Sequence, residues 1–485
     1  MKKSSVAENY VYNLIYQILV LILPLITTPY LSRVLGPDCI GTFSYTTSIV
    51  SYFELFAIMG VSIYGQREIS YHQDDIYERS RAFWNTKLMS ILIASASTLV
   101  YLVFAWKVNT PLYWIFSMAM LATIVDVTWF FKGMEEFGRI VLRNIILKAL
   151  TIICIFSFVK SKDDFLLYAF FHVGLAFLSE IFLVPQLRKY LKFIPFKELH
   201  PFKRFRHIFI LFIPSIAVHV YYMIDRSMIG WITQDAFQNG YYEQALSVVR
   251  TILPLVTAMG GVLLPRIGNC FKKNDQEGVR EYVYKNFRFL LFLGIPAALG
   301  IASISDNFVP WFFGKEYEPV SLLIKVLCWQ IILHGATSLF GFQYMIPTQQ
   351  ERSYTVAVFI GAFSNVILNT ILIYLYGALG AAIGSISAEA IVLACQLFHV
   401  RKQLSLFAML KSGAKYAVAG ATMAFIVRLV HKFVQNSPIA TLVLVGIGAS
   451  VYLIMLIILH DKIIMEAFGV IKKKIEHFLV NKKSI

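Results

Sequence analysis

Long apolar runs broken by short polar clusters set the rhythm of this 485-residue chain. The stretches from Ile145 to Val159 and from Ile439 to Leu459 are examples, and neither alternates apolar with polar positions. A membrane barrel would show that alternation, in segments of about ten residues. A helix crossing a hydrocarbon layer about 30 Å thick needs roughly 20 apolar residues instead. Lipid offers the backbone no hydrogen-bond partners, so a spanning segment that is not part of a closed barrel must be helical. The pattern predicts fourteen helices, at 9–33, 39–65, 82–106, 112–131, 139–159, 165–187, 207–232, 238–264, 286–305, 320–342, 353–375, 380–400, 412–434 and 438–460. The expected fold is an all-α polytopic membrane protein.

Charge gives this map an orientation. Of the 44 Lys and Arg residues, 32 fall at alternate ends of the helices and in the two termini. Only Arg33, Lys107, Lys160, Lys162, Lys315 and Lys432 fall on the opposite side. Basic loops stay in the cytoplasm, so both termini are expected there. The net charge of +16 is therefore a topology signal and does not point to nucleic acid. Only 15% of the residues are charged, against about a quarter in a soluble domain. Five well-separated cysteines, an odd number, argue against a disulfide framework and against a metal knuckle. Met1-Lys2-Lys3 leads into a full-length span with no small-residue cleavage pattern, so a retained N-terminus is expected. The basic tail after Asp461 is expected to lie along the membrane surface as an amphipathic helix.

The most basic loop, 188–206, interleaves seven cations with Phe193, Phe196, Phe202 and Phe205, a composition that suits the headgroup layer. It also separates six spans from eight. Pro24, Gly41 and Met59-Gly60 in the first two spans have counterparts in Pro214, Gly240 and Met259-Gly260 of the seventh and eighth. Two six-helix lobes at 1–195 and 196–405, with two further helices and the tail at 406–485, are the expected organisation. Repeated lobes around a central site are a common transporter plan.

An ionisable side chain deep in a bilayer costs from about 2.5 to more than 10 kcal/mol and is rarely left facing lipid. Lys87, Lys148 and Glu180 lie near helix ends, where snorkelling accounts for them. Arg250 falls near mid-membrane, and Arg226 sits beside Asp225 in the preceding span. Asp225-Arg226 reads either as a local ion pair or, with Arg250, as a cationic wall for a phosphate-bearing substrate. Arg suits the second role because its planar fork binds phosphate bidentately and stays charged. Arg33 is either a third such cation or an interfacial anchor. Glu54, Asp126 and Glu389 are lone acids, open to coupling a cation or to structural hydrogen bonding. His172, His219 and His334 read as packing histidines, with proton relay as the alternative. There is no Walker-type loop, HExxH helix, GxSxG elbow or large external loop, so neither a catalytic activity nor a cofactor is expected.

Pro29-Tyr30-Leu31-Ser32-Arg33-Val34-Leu35-Gly36-Pro37, followed by Gly41-Thr-Phe-Ser-Tyr45, resembles the first helical hairpin of bacterial polysaccharide flippases. Gly60 to Ile69, including Arg67 and Glu68, resembles the end of their second helix. Asp225-Arg226-Ser-Met-Ile-Gly230 with Gly240-Tyr-Tyr-Glu-Gln-Ala245 resembles the seventh and eighth. These are Wzx-type members of the multidrug/oligosaccharidyl-lipid/polysaccharide exporter superfamily. The resemblance implies two six-helix lobes that alternate access around a cationic cavity in the bacterial inner membrane. It implies an undecaprenyl-diphosphate-linked sugar repeat unit as substrate, for capsule or O-antigen, with polymerase and chain-length proteins acting downstream. Arg33, Asp225 and Arg226 carry over by motif. A drug/cation antiporter of the same superfamily is the alternative, although its pocket would be acidic and aromatic. A membrane glycan polymerase or ligase is a third.

Overall fold

The computed structural model describes residues 6–465, with side chains from Leu23 onward apart from Arg204 and several positions between 211 and 221. The basic tail beyond Met465 falls outside the described residues. No strand forms among those described.

Helix α1 (Val6–Ile58) carries the first two spans, which part at Gly36. Gly36 adopts φ 76°, a left-handed conformation that favours glycine, and the expected turn shrinks to this one residue. Helix α2 (Val61–Tyr71) extends the second span past a break at Met59-Gly60, six residues beyond the expected end. Helix α3 (Ile76–Val108) is the third span. The fourth is interrupted: α4 (Pro111–Val125) ends at Asp126, and a short α5 (Thr128–Gly133) follows. Then come α6 (Phe137–Phe158), α7 (Phe165–Leu183), α8 (Phe205–Thr233), α9 (Ala236–Lys272) and α10 (Gln276–Phe312).

The tenth span is also irregular. It is built from α11 (Val320–Leu327), α12 (Trp329–Thr337) and a π-helical stretch, Ser338–Met345. π-Helical segments are rare and recur at functional sites. The last four spans are α13 (Glu351–Tyr376), α14 (Ala378–Val400), α15 (Leu406–His431) and α16 (Pro438–Ile458).

Twelve helical segments among the described residues are long and apolar enough to cross a membrane, and one of them is the double span from Leu23 to Tyr71. With α8, 29 residues long, the helices account for about fourteen spans. The expected all-α polytopic fold is thus observed. Large apolar side chains such as Trp106, Phe363, Tyr374 and Leu442 are more than two-thirds exposed, as lipid-facing positions should be.

The chain divides into two compact units, Met1–Glu243 and Gln244–Ile485. Helix ends that sequence places on one side of the membrane meet each other within each unit. On the Lys/Arg-poor side of the first unit, Tyr30 donates to the carbonyl of Val159 at 2.6 Å and Lys162 pairs with Asp38 at 2.7 Å. On its basic side, Arg79 donates to the Tyr190 carbonyl (Nη2, 2.7 Å) and Tyr190 donates to Glu136 at 2.9 Å. In the second unit, Arg280 donates to the Gln403 carbonyl at 2.9 Å on the basic side. Trp311 donates to Thr441 at 2.7 Å on the other side. That contact ties α16 to α10.

The 188–206 loop is docked on the start of α3 through Arg79, Ser80 and Trp84. Phe193, Phe196 and Phe202 project from it, each at least 66% exposed.

Candidate functional site

Small residues let three helices of the first unit approach closely. A Cβ on Gly41 would lie 1.7 Å from the Ala236 carbonyl oxygen, and one on Gly240 would lie 2.0 Å from that of Pro37. Gly230 holds the ring of Tyr45 as closely, at 2.3 Å from a Cβ position. The second half of α1, the end of α8 and the start of α9 therefore meet along Gly41, Gly230 and Gly240.

The polar side chains of these segments converge at that seam. Arg226 is only 6% exposed. Its Nε lies 2.6 Å from Glu243 Oε2, an ion-pair contact, and its Nη2 donates to Glu243 Oε1 at 3.0 Å. Ser44 donates to the same carboxylate at 2.9 Å. Asp225, 9% exposed, accepts from Tyr242 at 2.6 Å. Ser227 donates to Ser48 at 3.0 Å and lies 3.0 Å from the hydroxyl of Tyr52.

The Asp225-Arg226 dipeptide therefore engages two separate residues of the next helix. Glu243 was not among the expected candidates, yet the signal for it was present. Arg226 and Glu243 lie equally far from the Gln234-Asp235 turn, so an antiparallel hairpin brings them level.

The other arginines fall elsewhere. Arg33 is exposed on α1, three residues before Gly36. Arg250 is partly buried in the part of α9 that belongs to the second unit.

The acids fall in three settings. Glu54 is partly buried in the second half of α1. Asp126 caps the break in the fourth span, accepting from the Thr128 amide at 2.7 Å. The break frees carbonyls, and Lys87 fills them, donating to Ile124 and Asp126 oxygens at 2.7 and 2.8 Å. Lys87 is 7% exposed, so the snorkelling expected for it does not occur. Nor does Glu180 reach for the interface: Arg143 donates to it at 3.0 Å, as does Thr128.

Glu389, 3% exposed on α14, accepts from Thr337 and lies 3.1 Å from His334 Nδ1. That pair sits one turn before the π-helical stretch. Gln343 within the stretch accepts from Asn286. The expected packing role for His172 fits its ring contacts with Phe43 and Tyr168. His334 instead has an acid partner, which sequence could not pair with it across 55 residues.

Known proteins agree with this architecture. A protein of Escherichia coli (strain K12) named "Putative O-antigen transporter" is 22% identical over 407 residues, covering 82% of this chain and 97% of that protein. A Haloferax volcanii protein named "Probable low-salt glycan biosynthesis flippase Agl15" is 27% identical over 180 residues, 37% of this chain and 38% of that protein. Among solved structures, the lipid II flippase MurJ in an inward closed conformation superposes with a TM-score of 0.70. It is 18% identical, and the match covers 94% of this chain and 99% of that one. The sequence profile described as "Polysaccharide biosynthesis protein" matches residues 6–271, more than half of the chain, and the chain belongs to that family.

Proposed function

We propose that this protein is a flippase that carries undecaprenyl-diphosphate-linked oligosaccharide repeat units from the cytoplasmic to the outer leaflet of the bacterial inner membrane. Both termini lie in the cytoplasm, and the glycan serves a capsule or an O-antigen. The observation that carries this reading is Arg226, a permanently charged group buried in a polar seam between apolar helices and paired with one carboxylate. Two oxygens of one phosphate of a diphosphate can accept from a guanidinium as a carboxylate does. The substrate head group displaces Glu243 from the guanidinium; Arg33 in the first unit and Arg250 in the second are the other cations proposed to bind substrate. The polyprenyl tail stays in the bilayer throughout. Family membership and the names of the relatives support the substrate class.

The chain needs a driving force. One charge coupled to the membrane potential supplies about 2.3 kcal/mol per 100 mV. Glu54, Asp126, Asp225 and Glu389 are the groups proposed to bind the coupling ion. Polymerase and chain-length proteins consume the delivered units outside and pull transport forward.

Expression in a bacterium lacking its own flippase tests the reading, with surface glycan measured on intact cells. Wild-type protein should restore it. Arg226→Glu with Arg250→Glu should abolish it, while Arg226→Lys should retain part. Undiminished export by the charge-reversed protein, present in the membrane at normal levels, would sink the proposal.

A further inference from the structure

A second polar feature of the first unit plays no part in the seam around Arg226. It is a groove of about 650 Å³ on the Lys/Arg-rich side, between α2 and the stretch that follows α5. Two glycines create it. A Cβ on Gly65 would lie 2.5 Å from the Trp129 ring, and one on Gly133 would lie 2.8 Å from the Gln66 carbonyl oxygen. Gln73 donates to the Gly133 carbonyl at 2.7 Å and locks the pair of helices. This close approach sets Lys132, in the last turn of α5, beside the outward face of α2.

That face carries Ile63, Gln66, Arg67 and Ser70, spaced as one side of a helix. The Arg67 guanidinium lies 5.6 Å from the centre of the Tyr64 ring, which fixes its direction. Its Nε is buried with no hydrogen-bond partner in the protein. An orphaned buried donor on a cation is costly and is expected to serve an acceptor from outside. The groove is thus lined by a cation from each helix, an amide, and a hydroxyl that donates to the Arg67 carbonyl at 2.7 Å. Ile63, 54% exposed, and Phe137 give it an apolar wall. One acid, Glu135, also lines it. The run from Gly60 to Ile69 contains Arg67, and nothing at the Arg226 seam uses it.

We infer that this groove docks the phosphate head group of a membrane amphiphile, with the hydrocarbon chain against Ile63 and Phe137. On the reading given under Proposed function, that amphiphile is the lipid-linked glycan, caught by its diphosphate before it reaches Arg226. An anionic phospholipid of the surrounding leaflet has the same chemistry.

Titration calorimetry on the purified full-length protein in uncharged detergent tests the docking site, with farnesyl diphosphate as probe. Lys132 is exposed, so Lys132→Gln should fold normally and weaken binding about tenfold, the loss of one charge-assisted hydrogen bond. Arg67→Gln should weaken it at least as much, and Arg67→Lys should recover part. Glu135→Gln should tighten binding, a change that damage to the fold would not produce. Competition then separates the two sources: displacement by phosphatidylglycerol at equal concentration assigns the groove to bilayer lipid, and resistance to it assigns the groove to the diphosphate carrier. Unchanged binding in both Lys132→Gln and Glu135→Gln overturns the site. Loss of binding in Lys132→Gln, alongside a wild-type protein that fails to restore surface glycan, would leave the groove standing and remove the flippase reading instead.

Discussion

Arg226 and Glu243 form the most consequential pair of side chains in the first unit. Arg stays protonated in any protein setting, so its buried positive charge needs an acid opposite it. Removing one partner of a buried ion pair leaves the other unmatched and typically costs about 3–5 kcal/mol, whereas removing both is far milder. Glu243→Gln is therefore expected to lower the stability of the purified protein by about 3 kcal/mol. The double change Arg226→Met/Glu243→Gln should recover most of it, as read by denaturant or thermal unfolding in detergent. If the single and double variants lose stability equally, the pair is not coupled. Glu389 with His334 and Thr337, and Lys87 on the freed carbonyls of the fourth span, follow the same rule: a charge inside lipid is matched by a nearby group. Sequence singled out Asp126, Asp225, Arg226 and Glu389 as unusual because each interrupts an apolar run. It did not supply their partners, which lie on other helices.

Helices in this molecule meet through glycine where lipid supplies no hydrophobic force to hold them together. Gly240 lies against the carbonyl of Pro37 with no room for a methyl group. Gly240→Ala has to push α9 away from α1, and overpacking of this kind costs about 1–3 kcal/mol. The expected result is a lower unfolding temperature and reduced export. Gly446 meets nothing within 4 Å, so the same change there should leave both unaltered. Equal behaviour of the two variants would show that the close approach is not needed. At this scale the apolar pattern served well for uninterrupted helices. Span seven, expected at 207–232, is α8 at Phe205–Thr233. It served less well where a span is broken. At Asp126 the sequence shows one acid in an apolar run but not that the helix ends there, and the π-helical stretch at Ser338–Met345 changes backbone geometry with little mark on composition.

For the whole chain, Asp461 joins the end of the last span to α15. It accepts from Tyr416 at 2.8 Å and pairs with Lys415. Burial pushes its carboxyl up, but Lys415, Tyr416 and the Ile463 amide outweigh this and hold it below the ordinary carboxylate value. A group depressed in the folded state stabilises the fold above its unfolded value, and that contribution fades as pH falls through the folded value. The stability difference between wild type and Asp461→Asn should therefore be full at neutral pH and shrink below about pH 4. Thermal unfolding across that range checks it, and a difference independent of pH would refute it. The residue order by itself determined that this is an all-α membrane protein of about fourteen spans, because lipid imposes run length and a helical backbone on any segment that crosses it. It also set the expected side of each helix end, because basic loops tend to stay in the cytoplasm. Only the tertiary structure decided which charges neutralise each other, where spans break, and that Arg67 and Lys132 share a groove. Those depend on the distance between helices, which is set by single small residues such as Gly65, Gly133 and Gly240 that carry no apolar signal of their own.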